Sequence, residues 1–526
     1  MKTKQQEPRS IKEELDSIIR DSSVRSGQTY VDRAKKQVEI TKRSGDILAY
    51  GRALNDLGLS YKYSSEYFKA EQSLMEAIAI WENLRVGLED QESYRISLFE
   101  TQTVTYQSLQ QVRIAMQKYP EALEALEQGR ARAFLALLSS KLSRTEKYTE
   151  PPVTVKHLQQ IARDQQITIV SYSLIKSAGI GSFQPLLGSA ELYAWVIDPN
   201  GKISFCKIDL SKWEYENGKS IIEIIKDLQE RLGRPSGTIR IAGATTANSR
   251  KPPQNYDDSP DELKKLYQLL IKPIAEFLPT DPEAKIVFIP HQALFLVPFA
   301  ALREQSGKYL IEKHTIAYSP SIQVLAYTEK LRDRNQGSGE LLVGNPTGDL
   351  QSAELEVNAI AQFFNTKAII GKDATKAVIL AKISDARIIH LATHGKPDDN
   401  NGLNSEIFLA PNGKTPITLT AAEILKLNLK AELVVLSACN TAKGKIMGDG
   451  VIGLSRAFIL AGTPSIIVTL WSIPDAETGK LMPEFYRNLQ ANSDRAQALR
   501  KAMLSTMRDY PHPRNWAAFT LIGSRS

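Results

Sequence analysis

Through the first ~140 residues apolar positions recur at helical spacing, and no Val/Ile-rich alternation competes with that pattern. This stretch reads as helix after helix, ending in a long one over 121–142, "EALEALEQGRARAFLALLSSKL". The segment "SRTEKYTEPPVTV" (143–155) then breaks helicity with two prolines. Beyond it the period changes. "TIVSYSLI" (168–175), "LYAWVID" (192–198) and "KISFCKIDL" (202–210) read as strands, the last two joined into a hairpin by "DPNG". Further on, continuous apolar runs alternate with helical patterns: "KIVFIP" (285–290), "ELLVGNP" (340–346), "DARIIHLATHG" (385–395), "AELVVLSACNT" (431–441) and "TPSIIVTLWSI" (463–473). Strands apolar on both faces, separated by helices, predict a mostly parallel sheet covered by helices. The polar stretch 245–262 reads as an exposed loop, and "RDRNQGSGE" (332–340) as a joint between two α/β halves.

Within the helical region, residues 51–84 form one unit whose Leu57, Gly58, Tyr61, Tyr67, Ala70, Leu74 and Ala77 fall where a tetratricopeptide repeat places its packing residues. Small residues let two helices approach, and large ones fill the groove between them. A second unit at roughly 103–136 keeps Leu109, Tyr119, Ala122 and Leu126 but carries Gln110 and Arg113 in place of the glycine and tyrosine. Residues 10–46 fit an earlier helix pair. The expected organisation is a helical repeat domain over 1–145, then two α/β halves over 150–330 and 335–526.

Composition adds exclusions. The net charge of +7 over 526 residues is small and dispersed, with no Lys/Arg block of the kind a nucleic-acid arm needs. The N-terminal segment has no apolar core of a secretory signal, and no apolar run approaches the ~18 residues of a membrane span. Cys206 and Cys439 make neither a metal spacing nor a disulfide framework, which points to a reducing cytoplasm. Cys206 lies inside a strand with no histidine near it in sequence, as a small apolar residue would.

The chemistry gathers at two strand ends, where open parallel sheets place their ligands. "RIIHLATHG" delivers His394, followed by Gly395, and "LVVLSACNT" delivers Cys439. If these strands are neighbours, the two side chains emerge at one edge. A cysteine of ordinary pKa ~8.5 is only a few per cent thiolate at pH 7, so it needs a base to react quickly. His394 can take the thiol proton and return it to a leaving amine. The backbone N–H groups of Gly395 and Cys439 are the candidate oxyanion donors. This logic requires no third residue. A metal is not expected: on a strand His390 and His394 stand roughly 13 Å apart, and a helical zincin would need Glu where Leu391 stands. His390 therefore reads as a core or supporting residue. A cysteine-phosphatase loop would place Arg six positions after the cysteine, where this chain has Lys445.

Over 260–524 the blocks "LYQLLIKPIAEFL", "IVFIPHQALFLVPFAAL", "YLIEKHTIAYSPS", "LLVGNPTGDL", "ARIIHLATHG", "LVVLSACNTAKG", "GDGVIGLSRAFILAGTPSIIVTLWSIPD", "FYRNL" and "NWAAFTLIG" resemble a CHAT domain, a caspase-like and separase-like cysteine peptidase found joined to tetratricopeptide repeats. The caspase form Gln-Ala-Cys is absent, and Ser-Ala-Cys-Asn-Thr stands in its place. The resemblance implies a caspase-like α/β fold with an inactive pseudo-protease half over 150–330, a Cys439–His394 dyad, and no cofactor. It also implies a pocket for a charged residue, for which Asp449 and Asp475 are the candidate acids and Trp471 a candidate wall. Because "LWSIPD" resembles the separase loop that supplies an acid for a basic residue, the resemblance favours cleavage after Arg or Lys, with Asp475 as that acid. Asp449 is also placed to cap the helix that follows it, and Trp471 equally fits the core. The expected partners are a protein substrate, gasdermin-like in some members of the family, and a protein regulator on the repeat surface. Neither nucleic acid nor membrane is expected as a direct partner. Family members act in bacterial signalling and defence. A catalytically silent repeat scaffold and an acyl transferase using the same dyad are the alternatives.

Overall fold

The computed structural model describes residues 27–86, 92–130, 153–176, 190–233, 259–334, 336–398, 401–438, 445–447, 450–471, 475–492 and 494–524. They fall into two compact units, a helical one up to Val155 and an α/β one from Lys156 onward. Among the described residues no helix is long and apolar enough to cross a membrane.

The helical unit runs Gly27–Ser44, Ile47–Tyr63, Tyr67–Val86, Glu92–Ala115 and Tyr119–Gly129. Asp46 caps the second helix by accepting from the Ala49 N–H at 3.0 Å. The repeat residues behave as their spacing predicts. Leu57, Tyr61, Ala70, Leu74, Leu109 and Ala125 share one apolar cluster with Val31 and Val112, and Tyr67 packs against it. A Cβ on Gly58 would stand 2.6 Å from Leu74 Cγ, and one on Gly51 would stand 2.5 Å from the Trp81 ring. This helix pair could not close at that separation with a larger residue at either position.

The second repeat departs from the pattern at Arg113. This residue is buried and reaches back to the first repeat, its Nε donating to Glu71 Oε1 at 3.0 Å, while another guanidinium nitrogen donates to the Glu121 carbonyl at 2.8 Å. Burial opposes charge on Glu71, but hydrogen bonds from Lys118 and Arg113 outweigh it and hold the carboxyl below its usual range. Arg113→Ala should therefore cost about 2–3 kcal/mol, as for losing a charged hydrogen-bond partner of an enclosed carboxylate. Urea unfolding checks this; a loss below ~0.5 kcal/mol would mean solvent replaces the guanidinium.

The helix expected over 121–142 is shorter. It ends at Gly129, and Arg130 is extended. Gly129 packs against Tyr106, where a Cβ would meet Tyr106 Cβ at 2.7 Å, and the buried Arg130 pairs with Glu127 at 3.2 Å. Residues 131–142 lie outside those described.

The second unit is built on one 11-stranded sheet. In chain order its strands are β1 (Thr168–Lys176), β2 (Ala190–Ile197), β3 (Ile203–Ile208), β4 (Lys285–Ile289), β5 (Thr315–Tyr318), β6 (Glu340–Gly344), β7 (Ile369–Ile370), β8 (Ile388–Thr393), β12 (Leu433–Ala438), β15 (Ser465–Thr469) and β16 (Phe519–Gly523). The small strands β9 (Gly395–Lys396), β10 (Glu406–Asn412) and β11 (Thr415–Thr420) form a separate sheet, and β13 (Lys445–Met447) pairs with β14 (Gly450–Ile452). The spatial order is β3-β2-β1-β4-β5-β16-β15-β12-β8-β6-β7. Pairing is parallel except at the β1–β2–β3 arm and where β16 meets β15. The hairpin turn forms as expected: Asp198 Oδ1 accepts from the N–H groups of Asn200 and Lys202, and Gly201 takes the positive φ the turn needs. Cys206 is half-buried on β3, and burial pushes its thiol pKa up.

The two α/β halves thus share a single sheet. The strand that joins them comes from the end of the chain, since β16 lies between β5 and β15. Just before β5, His314 is buried, and its Nδ1 finds no hydrogen-bond partner among the described residues. Burial, then the nearby Lys313 and Arg500, lower its pKa to about 4. The folded chain resists this proton, whereas the unfolded chain accepts it near the ordinary ~6.5. Stability should be full above that value and fall as pH drops toward 4. At pH 5 this group should account for about 2 kcal/mol of lost stability. The melting temperature of His314→Phe should then fall less than the parent's between pH 7 and pH 5.

Candidate functional site

Strands β8 and β12 are parallel neighbours, paired from Ile388↔Leu433 through Thr393↔Ala438. β8 is buried throughout and β12 from Leu433 to Leu436, and the two run toward the same sheet edge, which fixes their ends. His394 is the residue immediately after β8. Cys439 is the residue immediately after β12 in sequence, and it lies outside the described residues, as does Asp449.

The backbone of His394 is pinned by the small sheet. Its carbonyl accepts from the Phe408 N–H at 3.0 Å, while the Thr393 hydroxyl donates to the Phe408 carbonyl at 2.8 Å. The Phe408 ring meets the imidazole edge-on at 6.4 Å between centroids. One step on, Gly395 is opposite Ile407 in the antiparallel β9–β10 pair. Since His394 and Phe408 carry the ladder bond, Gly395 is the alternate, non-bonded position and turns its N–H away from β10. β9 is the end strand of its three-stranded sheet, so that N–H faces an edge with no paired strand among the described residues.

The imidazole has a partner that its own strand does not supply. His394 Nε2 lies 3.0 Å from both carboxylate oxygens of Asp349. Asp349 sits in the loop after β6, the other neighbour of β8. That loop is shaped by Asn345, which takes a positive φ of 51°, accepts from the Leu350 N–H through Oδ1 at 2.7 Å, and donates to Glu354 at 2.7 Å. The hydrogen bond from the Thr347 hydroxyl is the largest influence on the Asp349 carboxyl; burial opposes it, and the hydrogen bond and charge of His394 add to it, so the carboxyl is held below the usual carboxylate range. With Nε2 committed to the carboxylate, Nδ1 is the nitrogen left for chemistry.

A second histidine–carboxylate pair lies two pleat repeats deeper. His390, fully buried, places Nε2 2.9 Å from Glu356 Oε1 and Nδ1 3.1 Å from the Tyr486 hydroxyl. Ser437, on β12, donates to Glu356 Oε2 at 3.3 Å. Glu356 belongs to the helix Gln351–Phe364, so one helix holds both strands by a single carboxylate. Burial raises the Tyr486 pKa well above the ordinary value, so the phenol stays protonated. His390 is thereby a supporting residue within the core.

Trp471 is 1% exposed, with its indole Nε1 donating to the Arg514 carbonyl at 2.9 Å. This gives it an interior place rather than an open wall. Asp475 is the first residue of the helix Asp475–Ala491. Sequence reasoning did not find Asp349. In sequence Asp349 is only a turn residue in "GNPTGD" after a strand; the pairing of that strand with the histidine strand is what brings it to His394.

Residues 260–524 match the CHAT domain. The chain is 26% identical over 605 aligned positions to Tetratricopeptide repeat protein 28 of Homo sapiens, covering 89% of this chain and 24% of that protein. It spans about a quarter of the length of the curated relatives it matches, the Mus musculus protein of the same name included. Among solved structures it is similar to the separase of the Saccharomyces cerevisiae separase–securin complex, at 12% identity and a TM-score of 0.47, over 98% of this chain and 48% of that one. It is also similar to the Porphyromonas gingivalis RgpB pro- and mature domains, at 13% identity and a TM-score of 0.34, over 59% and 77% of the two chains. With the match spanning half of its length, and with helical repeats before it, this chain belongs to the CHAT domain family.

Proposed function

We propose that the protein is a cysteine endopeptidase whose nucleophile is Cys439 and whose general base is His394. The observation that carries this reading is the register of β8 and β12: Thr393 pairs with Ala438, and the next residue on each strand is His394 and Cys439. Membership of the CHAT domain family supports it. In this reaction Nδ1 of His394 takes the Cys439 thiol proton, and the sulfur attacks the scissile carbonyl carbon. A C–S bond forms, and the carbonyl oxygen gains negative charge and accepts hydrogen bonds donated by the N–H groups of Gly395 and Cys439. The C–N bond then breaks as the imidazolium gives its proton to the leaving amine. Water, deprotonated by His394, attacks the thioester. The C–S bond breaks, and the thiol regains a proton.

The residue before the scissile bond is Arg or Lys in this reading, held by Asp475 or Asp449, and the repeats recruit the protein substrate or a regulator along their surface. The setting is cytoplasmic, with bacterial signalling or defence as the process and a gasdermin-like protein as one substrate class. A peptide-library cleavage screen, run with and without candidate partners, tests this. Cleavage after Arg or Lys is expected. Cleavage only after Asp would overturn the basic pocket and leave the dyad standing. A silent scaffold would cut nothing, and an acyl transferase would yield a new amide in place of the cut end.

A further inference from the structure

We infer that Asp349 is the positioning residue of His394: it fixes the imidazole with Nε2 on the carboxylate and Nδ1 free for the sulfur, and it stabilises the imidazolium that forms. The inference rests on the peptidase reading and deepens it. Three features on three segments carry it. Both Asp349 oxygens lie 3.0 Å from Nε2, so the ring is held in one orientation and one tautomer. The carboxylate is itself held by its own loop, since Thr347 donates to it and Asn345 ties the loop to Leu350 and Glu354. The His394 backbone is independently fixed by Phe408. A group restrained on both sides of the contact is arranged before substrate arrives, and that is what an orienting partner requires.

The identity of the acid matters to the chemistry. A neutral imidazole donating Nε2–H to a carboxylate keeps the Nδ1 lone pair available as a base. Once Nδ1 takes the thiol proton, the ring is cationic and the adjacent negative charge favours it. The thiolate–imidazolium pair thus gains over the neutral pair. Asp349 stands 64% exposed and His394 34%, so water can partly replace the carboxylate. The expected effect is accordingly smaller than for an enclosed catalytic aspartate: a loss of ~10–100-fold in kcat/KM for Asp349→Asn, carried by kcat.

The experiment measures two things on the full-length chain. One is turnover of the best peptide from the library screen. The other is the iodoacetamide alkylation rate of Cys439 across pH 5–9, followed by mass spectrometry so that Cys206 is counted separately. In the parent, Cys439 should react well below the ordinary thiol range, and His394→Ala should abolish that reactivity. Asp349→Asn should lower the alkylation plateau near neutral pH by ~10-fold with the melting temperature unchanged, and Asp349→Glu should restore part of it. If Asp349→Asn leaves the alkylation profile of the parent intact, the inference fails while the dyad stands. The same holds if it only changes which residue is cut, since that would make Asp349 a pocket acid. If parent and His394→Ala react alike at every pH, the peptidase reading itself fails.

Discussion

Cys439→Ala should abolish peptide cleavage, with turnover falling by ~10⁴-fold or more while the melting temperature stays within about 2 °C of the parent. The size follows from the division of labour in covalent catalysis. Without the sulfur there is no acyl-enzyme, and only binding and the oxyanion donors remain, which by themselves leave a small residual rate over water. His394→Ala should fall nearly as far, because the two groups act as one unit, and the double variant should be no worse than either single one. The purified variants and the parent would be compared on the same basic-residue peptide. Retained cleavage in Cys439→Ala would remove this residue as nucleophile. Retained biological effect without cleavage would favour the scaffold.

Much of this site was legible because the residues that make it are the ends of strongly patterned strands. "RIIHLATHG" and "AELVVLSACNT" are apolar on both faces, so each had to lie inside a parallel sheet and end at its edge. The sheet places them side by side as β8 and β12. What the pattern hid is non-local. β5 and β16 are short, and β16 is set by pairing with β15 and β5, whose residues lie about 50 and 200 positions earlier. Asp349 is an ordinary turn residue by sequence. It meets His394 only because β6 and β8 pair in parallel and end together, which no local rule states. The helix ending at Gly129 was obscured for a related reason, since "EALEALEQGRARAFLALL" keeps helical periodicity straight through Arg130, where the backbone is extended.

The second large effect concerns what holds the two strand ends together. Glu356→Ala should destabilise the α/β unit by about 2–5 kcal/mol, the cost of leaving two buried polar partners of a carboxylate unsatisfied. The side chain is 2% exposed and serves His390 and Ser437 at once, so its loss strands an imidazole nitrogen and a hydroxyl in a site with little room for water. Replacing the pair by apolar residues should be milder. Glu356→Met with His390→Leu leaves only the Tyr486 and Ser437 hydroxyls to find new partners, and should recover more than half of the loss. Urea unfolding of the two variants against the parent decides this. If Glu356→Ala costs under ~1 kcal/mol, the carboxylate is not the tie between β8 and β12. If the double variant is as unstable as the single one, packing volume rather than an orphaned polar group sets the cost. In the expected case, the pair His390–Glu356 keeps the two strands in register two pleat repeats below the point where a thiol and an imidazole have to meet.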